Sequence, residues 1–138
     1  MAWPIDFPHL QSSHHLVTSP ENQFYNCIAW AAGDSKRFWW PGVFGYWPPG
    51  IPRAETLPAF IEAFGTLGYQ ICVDDSLEVG WQKVAIYGIV GSPKHAALQL
   101  PTGYWTSKLG KSNDIEHTLE GLVGPTYGTV MAVLRRPR

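Results

Sequence analysis

The sequence contains little charge and little cysteine, and each shortage excludes a class of protein. Charged residues make up 15% of the 138 residues and the formal net charge is -1, so electrostatic attraction to nucleic acid is not expected. The two cysteines, Cys27 and Cys72, are too few for a disulfide framework, although a single bridge between them stays open. Hydrophobic residues make up 45% of the chain, which is too many for a disordered arm. The composition predicts one globular domain over residues 1–138.

Long apolar runs are also missing from the sequence. No segment approaches the roughly 20 consecutive apolar residues that a membrane-spanning helix needs. The N-terminal residues lack the basic start and the apolar core of a cleavable signal peptide. We therefore expect no membrane partner, and a location in the cytoplasm or outside the cell by a route that uses no cleavable signal.

Periodicity predicts helices first and a mostly antiparallel sheet afterwards. Residues 1–21 are predicted to form an extended lead-in, followed by a short apolar helix that ends at Gly33, and a second helix over residues 56–67 has its apolar side chains on one face. Strands are predicted over residues 69–73, 83–90, 94–100, 103–107 and 127–134, with a short helical segment near 114–122. This order predicts an α+β fold in which the helix that carries Cys27 packs on the sheet.

An aromatic and proline-rich loop, residues 35–54, interrupts the periodic pattern. Trp39, Trp40, Tyr46 and Trp47 lie there among prolines and glycines, with neither helical nor strand spacing. Consecutive tryptophans cannot easily both point into a core, and exposed aromatic side chains usually contact a partner or a substrate. A loop this aromatic either packs over the core or walls a cleft, and we predict that these four residues bind substrate and that the loop forms one wall of the cleft.

Cys27 is the candidate nucleophile because it lies near the start of a predicted apolar helix. Unpaired amide groups and the helix dipole favour a thiolate at such a position, whereas the alternative is a small buried hydrophobic residue. Cys72, on a predicted strand, is expected to belong to the core. The Cys27 amide with the side chain of Gln23 or Asn26 would donate to an oxyanion, and capping of the helix is the equal alternative for Asn26.

His95 is the candidate general base. Among the five histidines it alone begins a predicted strand, which gives the imidazole a rigid position. A third group would orient the ring, and the candidates are Ser107 on the following strand and Asp114 beyond it. Gln99 shares the strand and the face of His95 but lies about 13 Å away along it, which is too far for that role.

Three blocks of sequence carry a resemblance to a known superfamily. They are residues 26–31 (NCIAWA), 95–99 (HAALQ) and 105–110 (WTSKLG). A helix headed by cysteine, then a β region that opens with histidine, resembles the papain-like cysteine hydrolases, especially small NlpC-type members, and the same blocks resemble a group of small proteins that carry all three. The resemblance implies a papain-like fold, Ser107 near the third catalytic position and no cofactor. It also implies acyl transfer at an amide or peptide bond, as in a peptidase, amidase, deamidase or transglutaminase.

Two other functions remain open. His14, His15, Cys27 and His95 are ligand types that suit zinc, but their spacing matches none of the usual zinc motifs. The second alternative is a non-catalytic binding module that uses loop 35–54 to bind a sugar, a proline-rich peptide or another protein. An inactive relative of the hydrolases, such as an immunity or regulatory protein, belongs to the same alternative.

Overall fold

One antiparallel sheet organises the protein. The computed structural model describes residues 7–10, 12–18, 25–109 and 113–138, and within them seven strands pair in the order β1-β6-β5-β4-β3-β7-β2. The strands are β1 (His15–Val17), β2 (Gln70–Ile71), β3 (Trp81–Ile89), β4 (Ser92–Gln99), β5 (Trp105–Lys108), β6 (Asp114–His117) and β7 (Thr129–Pro137). The helices are α1 (Cys27–Ala31) and α2 (Leu57–Gly65), with a 3-10 turn at Glu120–Leu122. The predicted α+β class and antiparallel sheet are confirmed.

The sheet has a buried layer on each face. Because side chains alternate along a strand, neighbouring residues of β3 and β4 belong to different layers. The helix layer contains α1, α2 and the side chains of Val84, Ile86, Ala96 and Leu134. The opposite layer contains Phe7, Leu10, Ala85, Tyr87, Ala97, Trp105, Ile115 and Leu122. In residues 83–88 of β3 and 95–97 of β4, side chains are therefore buried whichever way they point.

Asn26 begins α1 and ties it to the aromatic loop. Its side-chain oxygen accepts hydrogen bonds from the backbone amides of Ala29, at 3.1 Å, and Trp39, at 2.9 Å. Its side-chain nitrogen donates to the Trp39 carbonyl at 2.6 Å. Asparagine is a favoured N-cap because its side chain satisfies an amide that the first helical turn leaves unpaired. One buried side chain thus fixes both the start of the helix and the course of the loop.

The aromatic loop packs over the core, which is one of the two predicted alternatives, and its first residues also line a groove. Trp39 and Trp47 are each only 3% exposed, and Trp40 and Trp47 both pack edge-on against Phe60 of α2. Tyr46 is half-buried against Trp39. The consecutive indoles of residues 39 and 40 both reach the core because the chain is extended there, and they pack against different parts of it.

The tip of that loop is the part that faces solvent. Val43 and Phe44 are fully or nearly fully exposed, whereas the turn beneath them is fixed. Arg53 donates to the carbonyls of Gly42, at 2.8 Å, and Gly45, at 3.2 Å. A side chain at Gly45 would lie 2.4 Å from the Trp40 carbonyl oxygen, so the turn requires glycine there.

The predicted helical segment over 114–122 is wrong in its first half. Asp114–His117 forms β6, which pairs with β5 on one side and β1 on the other, and only Glu120–Leu122 is helical. The strand forms because its buried side chains, including Ile115 and His117, have partners on distant strands. One of these partner strands, β1, lies within the segment 1–21 that the sequence predicts to be an extended lead-in.

The helices of the described residues are short. No helix there combines the length and the apolar character that crossing a membrane requires.

We expect Asn26→Ala to destabilise the fold more than Thr56→Ala does. Thr56 caps α2 through one 3.4 Å hydrogen bond and is exposed, so its loss should cost about 1 kcal/mol. Loss of Asn26 leaves buried amide groups of both α1 and the loop unpaired, and we expect a cost of about 3 kcal/mol. Urea unfolding of the two variants measures the difference, and equal losses would contradict this role of Asn26.

Candidate functional site

Cys27 is the first residue of α1 and is buried against β4. It is 7% exposed and belongs to the helix layer, with Ala96 among its neighbours. Burial raises the pKa of its thiol to about 11, although the amides of Ala96 and Ile28 and the charge of Lys108 act in the opposite direction. The predicted thiolate is therefore wrong for this structure, because desolvation outweighs the helix N-terminus.

His95 lies on the opposite face of the sheet from Cys27. It pairs with Tyr87 across β3 and β4, and residues directly opposite in an antiparallel pair share a face. Its ring contacts Tyr87 and stacks on Tyr127 at 4.0 Å, both in the layer away from α1. The neighbouring residue Ala96 faces Cys27 instead. The predicted contact between the Cys27 sulfur and the His95 imidazole is absent, because the backbone of β4 lies between them.

Two histidines and a serine form a buried hydrogen-bond chain on that opposite face. His95 Nε2 lies 2.9 Å from Ser107 Oγ, and Ser107 Oγ lies 2.6 Å from His117 Nε2. His117 Nδ1 lies 2.7 Å from the Thr118 carbonyl oxygen, which can only accept. His117 therefore donates from Nδ1 and accepts the Ser107 hydroxyl at Nε2, and Ser107 accepts from His95 Nε2. His95 Nδ1 then carries a lone pair, and it is buried without a hydrogen-bond partner.

Both rings of this chain are neutral near pH 7. Burial lowers the pKa of His117 to about 4, and burial with the neighbouring His117 holds the pKa of His95 well below its usual value. The serine and both histidines have no exposed surface. Ser107 and His117 thus have the hydrogen bond of a nucleophile and base, but no substrate atom can reach the hydroxyl.

Asp114 belongs to the Cys27 side of the sheet and not to the histidine chain. It accepts a 2.7 Å hydrogen bond from the Tyr25 hydroxyl, and Lys108 lies with its ammonium 5.4 Å from the Tyr25 ring. Ser107, by contrast, contacts His95 from the next strand. The structure therefore separates the two candidates for the third catalytic group by the thickness of the sheet.

The predicted oxyanion groups do not form a donor pair. Gln23 lies outside the described residues. Asn26 uses its side-chain N–H for the Trp39 carbonyl and its oxygen for two amides, so its role is that of the alternative, the helix cap. The predicted substrate-binding residues also have structural roles, since Trp39 and Trp47 are core residues and Trp40 and Tyr46 pack against the core.

The zinc alternative fails on proximity. His14 pairs with Glu116 at the edge of the sheet, while Cys27 and His95 lie on opposite faces. Within the described part of the chain, no three acidic, histidine or cysteine side chains lie close enough together to hold a metal ion.

A cavity beside Gln99 was not predicted from the sequence. It has a volume of about 440 Å³ and its wall includes Gln99 and Trp105, with Asp75 and Thr118 on other sides. We call it the Gln99 cavity. Gln99 is 1% exposed, and its Nε2 donates to the Asp75 carbonyl at 2.9 Å, but its Oε1 is buried without a partner. Its sequence signal is a glutamine on the buried face of a strand, a position that the catalytic hypothesis assigns no role.

The fold and its polar side chains thus define an α+β domain with a sealed cysteine and an open polar cavity beside Gln99. The chain matches the model of a family described as a domain of unknown function (DUF7689) over residues 16–135. Because the match covers most of the chain, the protein belongs to that family. No curated protein and no solved structure gives a significant match to the chain.

We expect thiol reagents to modify Cys72 before Cys27. At pH 7 a thiol with a pKa of about 11 is ionised in about one molecule in 10⁴, and Cys27 is also shielded from reagent, whereas Cys72 is half-buried. Iodoacetamide labelling of the single-thiol variants Cys27→Ala and Cys72→Ser, followed by mass spectrometry, measures both rates. Fast labelling of Cys27 in native Cys72→Ser would restore the nucleophile hypothesis.

We expect the free energy of unfolding to fall as the pH is lowered from 6.5 towards 4. The unfolded state takes up protons in this range, whereas buried His117 does not until about pH 4, so its contribution alone is about 3 kcal/mol. His95 acts in the same direction. Urea unfolding at several pH values across this range measures the slope of the free energy of unfolding against pH.

The variant that carries His95→Leu, Ser107→Ala and His117→Leu is the control for that slope. It replaces the polar chain with apolar groups, so no buried imidazole is left to resist protonation. The slope should become shallower in this variant, and an unchanged slope would show that other groups cause it.

Proposed function

We propose that this protein is a non-catalytic binding domain whose ligand occupies the Gln99 cavity. The observation that carries the proposal is the cavity itself, one of whose lining residues, Gln99, has a buried side-chain acceptor, Oε1, without a hydrogen-bond partner. A buried acceptor without a donor costs about 1–3 kcal/mol, and a ligand that donates to it recovers that free energy. The nitrogen of the same amide group already donates to the Asp75 carbonyl at 2.9 Å.

The surroundings of Cys27 support a non-catalytic domain. Hydrolysis of an amide by cysteine needs a thiolate, a base within reach of it and room for the substrate. Ala96 occupies the place on β4 from which an imidazole would reach the sulfur, and its backbone amide contacts the sulfur instead. The charge of Lys108 acts on the thiol and favours the thiolate, but an ammonium group cannot take its proton.

The papain-like resemblance fits this proposal as an inactive relative. A helix headed by Cys27 on an antiparallel sheet has the general order of elements that the resemblance implies. In this interpretation the helix and sheet have the arrangement of a cysteine hydrolase, without an imidazole beside the thiol. A regulatory or immunity protein is the kind of function such a domain serves.

Other concave surfaces give weaker support for a ligand. A groove of about 660 Å³ runs along residues 32–37 to Trp39 and Leu67, but Asp34 in it is already paired with the Trp39 indole and with Arg37. A groove of about 370 Å³ between α2 and β7 is apolar along most of its wall, including Ile61 and Met131. Of these sites, the Gln99 cavity is the one whose wall contains a buried, unpaired hydrogen-bonding atom.

A fragment screen followed by nuclear magnetic resonance of ¹⁵N-labelled protein tests the proposal. We expect polar fragments to shift the signals of Trp105 and Thr118, and Gln99→Leu to weaken that binding at least tenfold. The control Gln70→Leu changes a glutamine on exposed β2 and should bind as the unchanged protein does. Cys27→Ala should also bind normally. If no fragment shifts the cavity signals, or if Cys27→Ala alone abolishes binding, the proposal is wrong.

A further inference from the structure

The residues that line the Gln99 cavity carry acceptors and neutral donors but no cationic donor, which bears on the ligand that the proposed function requires. Gln99 donates from Nε2 to the Asp75 carbonyl, and its Oε1 is buried without a partner. Ser76 donates its hydroxyl proton to Asp74 at 2.6 Å, so its oxygen offers lone pairs to the cavity. The donors on the wall are neutral, namely the hydroxyls of Thr102 and Thr118 and the Trp105 indole.

The charge of the cavity is negative. Among the described residues that line it, Asp75 alone is charged, and neither lysine, arginine nor histidine contributes to the wall. The buried cation on this side of the sheet, Lys83, is occupied by the carboxylates of Asp74, at 3.2 Å, and Glu78, at 2.8 Å. An anionic ligand would therefore meet no compensating charge, whereas a cation would meet Asp75.

Aromatic rings complete the wall. Tyr104 and Trp105 both line the cavity, and the Tyr104 ring is held in place by His14, which stacks on it at 3.9 Å. The faces of aromatic rings attract cations, and guanidinium groups in particular stack on them. A carboxylate and two aromatic residues that line one cavity without a cationic side chain form a set of groups suited to an organic cation.

We propose that the ligand of the Gln99 cavity presents a guanidinium group, as free arginine, agmatine or an arginine side chain of a peptide does. The planar group brings several N–H donors for the Asp75 carboxylate, and its flat face suits the aromatic residues of the wall. The volume of about 440 Å³ exceeds that of the guanidinium alone and leaves room for its alkyl chain. This inference rests on the proposed binding function and adds the chemical class of the ligand.

Titration with arginine amide and with citrulline amide tests the inference, because citrulline replaces the charged guanidinium with a neutral urea of the same shape. We expect arginine amide to bind at least tenfold more tightly, to shift the Trp105 and Thr118 signals, and to bind less well as salt increases. Agmatine and the peptide Ala-Arg-Ala, titrated in parallel, distinguish a free small cation from a peptide side chain as the source.

Two variants locate the interaction. Asp75→Asn should weaken arginine amide binding three- to tenfold and leave citrulline amide unaffected, and Gln99→Leu should weaken both. Asp75 is exposed, so Asp75→Asn keeps the test valid if Gln99→Leu fails to fold. Glu55→Gln, at another exposed carboxylate, is the matched control and should change nothing.

The outcomes separate this inference from the function on which it rests. Equal or weaker binding of arginine amide relative to citrulline amide overturns the guanidinium inference, and so does arginine binding that shifts signals away from the cavity. Neutral fragments that still bind in the cavity would then keep the binding domain and change only its ligand.

Discussion

The register between β3 and β4 decides which chemistry each face of the sheet contains. Tyr87 lies opposite His95 and Ile86 lies opposite Ala96, so histidine and alanine point in opposite directions. Everything else about the two polar clusters follows from this pairing. His95 meets Ser107 and His117 on one face, and Cys27 meets the Ala96 amide, with Lys108 and Asp114 nearby, on the other. A shift of this register by one residue would move His95 to the helix face and Ala96 to the opposite face. It would also exchange the buried side chains of the two layers.

The two clusters differ in what burial does to them. On the helix face, desolvation keeps Cys27 protonated despite a helix terminus and a nearby ammonium. On the other face, burial keeps His95 and His117 neutral, which lets each ring donate at one nitrogen and accept at the other. Both clusters contain residue types that occur in active sites, but here each is protected from solvent. The open polar surface is the Gln99 cavity, and no catalytic sequence pattern predicts a site there.

Local signals predicted the regular elements better than the site. The apolar spacing of Leu57, Phe60 and Phe64 predicted α2 nearly to its bounds, and β3 and β4 lay where β-rich runs were found. The face of His95 was not predictable in this way, because β4 is buried on both faces and alternation then carries no directional signal. β6 was missed because a four-residue strand depends on β1 and β5, which are distant in sequence. The missing partner of Gln99 Oε1 is a property of three-dimensional packing and has no sequence pattern.

The turn at residues 42–45 has a practical consequence. Arg53 and the requirement for glycine at position 45 fix its base, while Val43 and Phe44 extend beyond both core layers without packing partners. Chain added between these two side chains would displace no buried atom, since exposed turn tips tolerate insertion. The loop tip between Val43 and Phe44 is thus a suitable position for a peptide tag or a fluorophore.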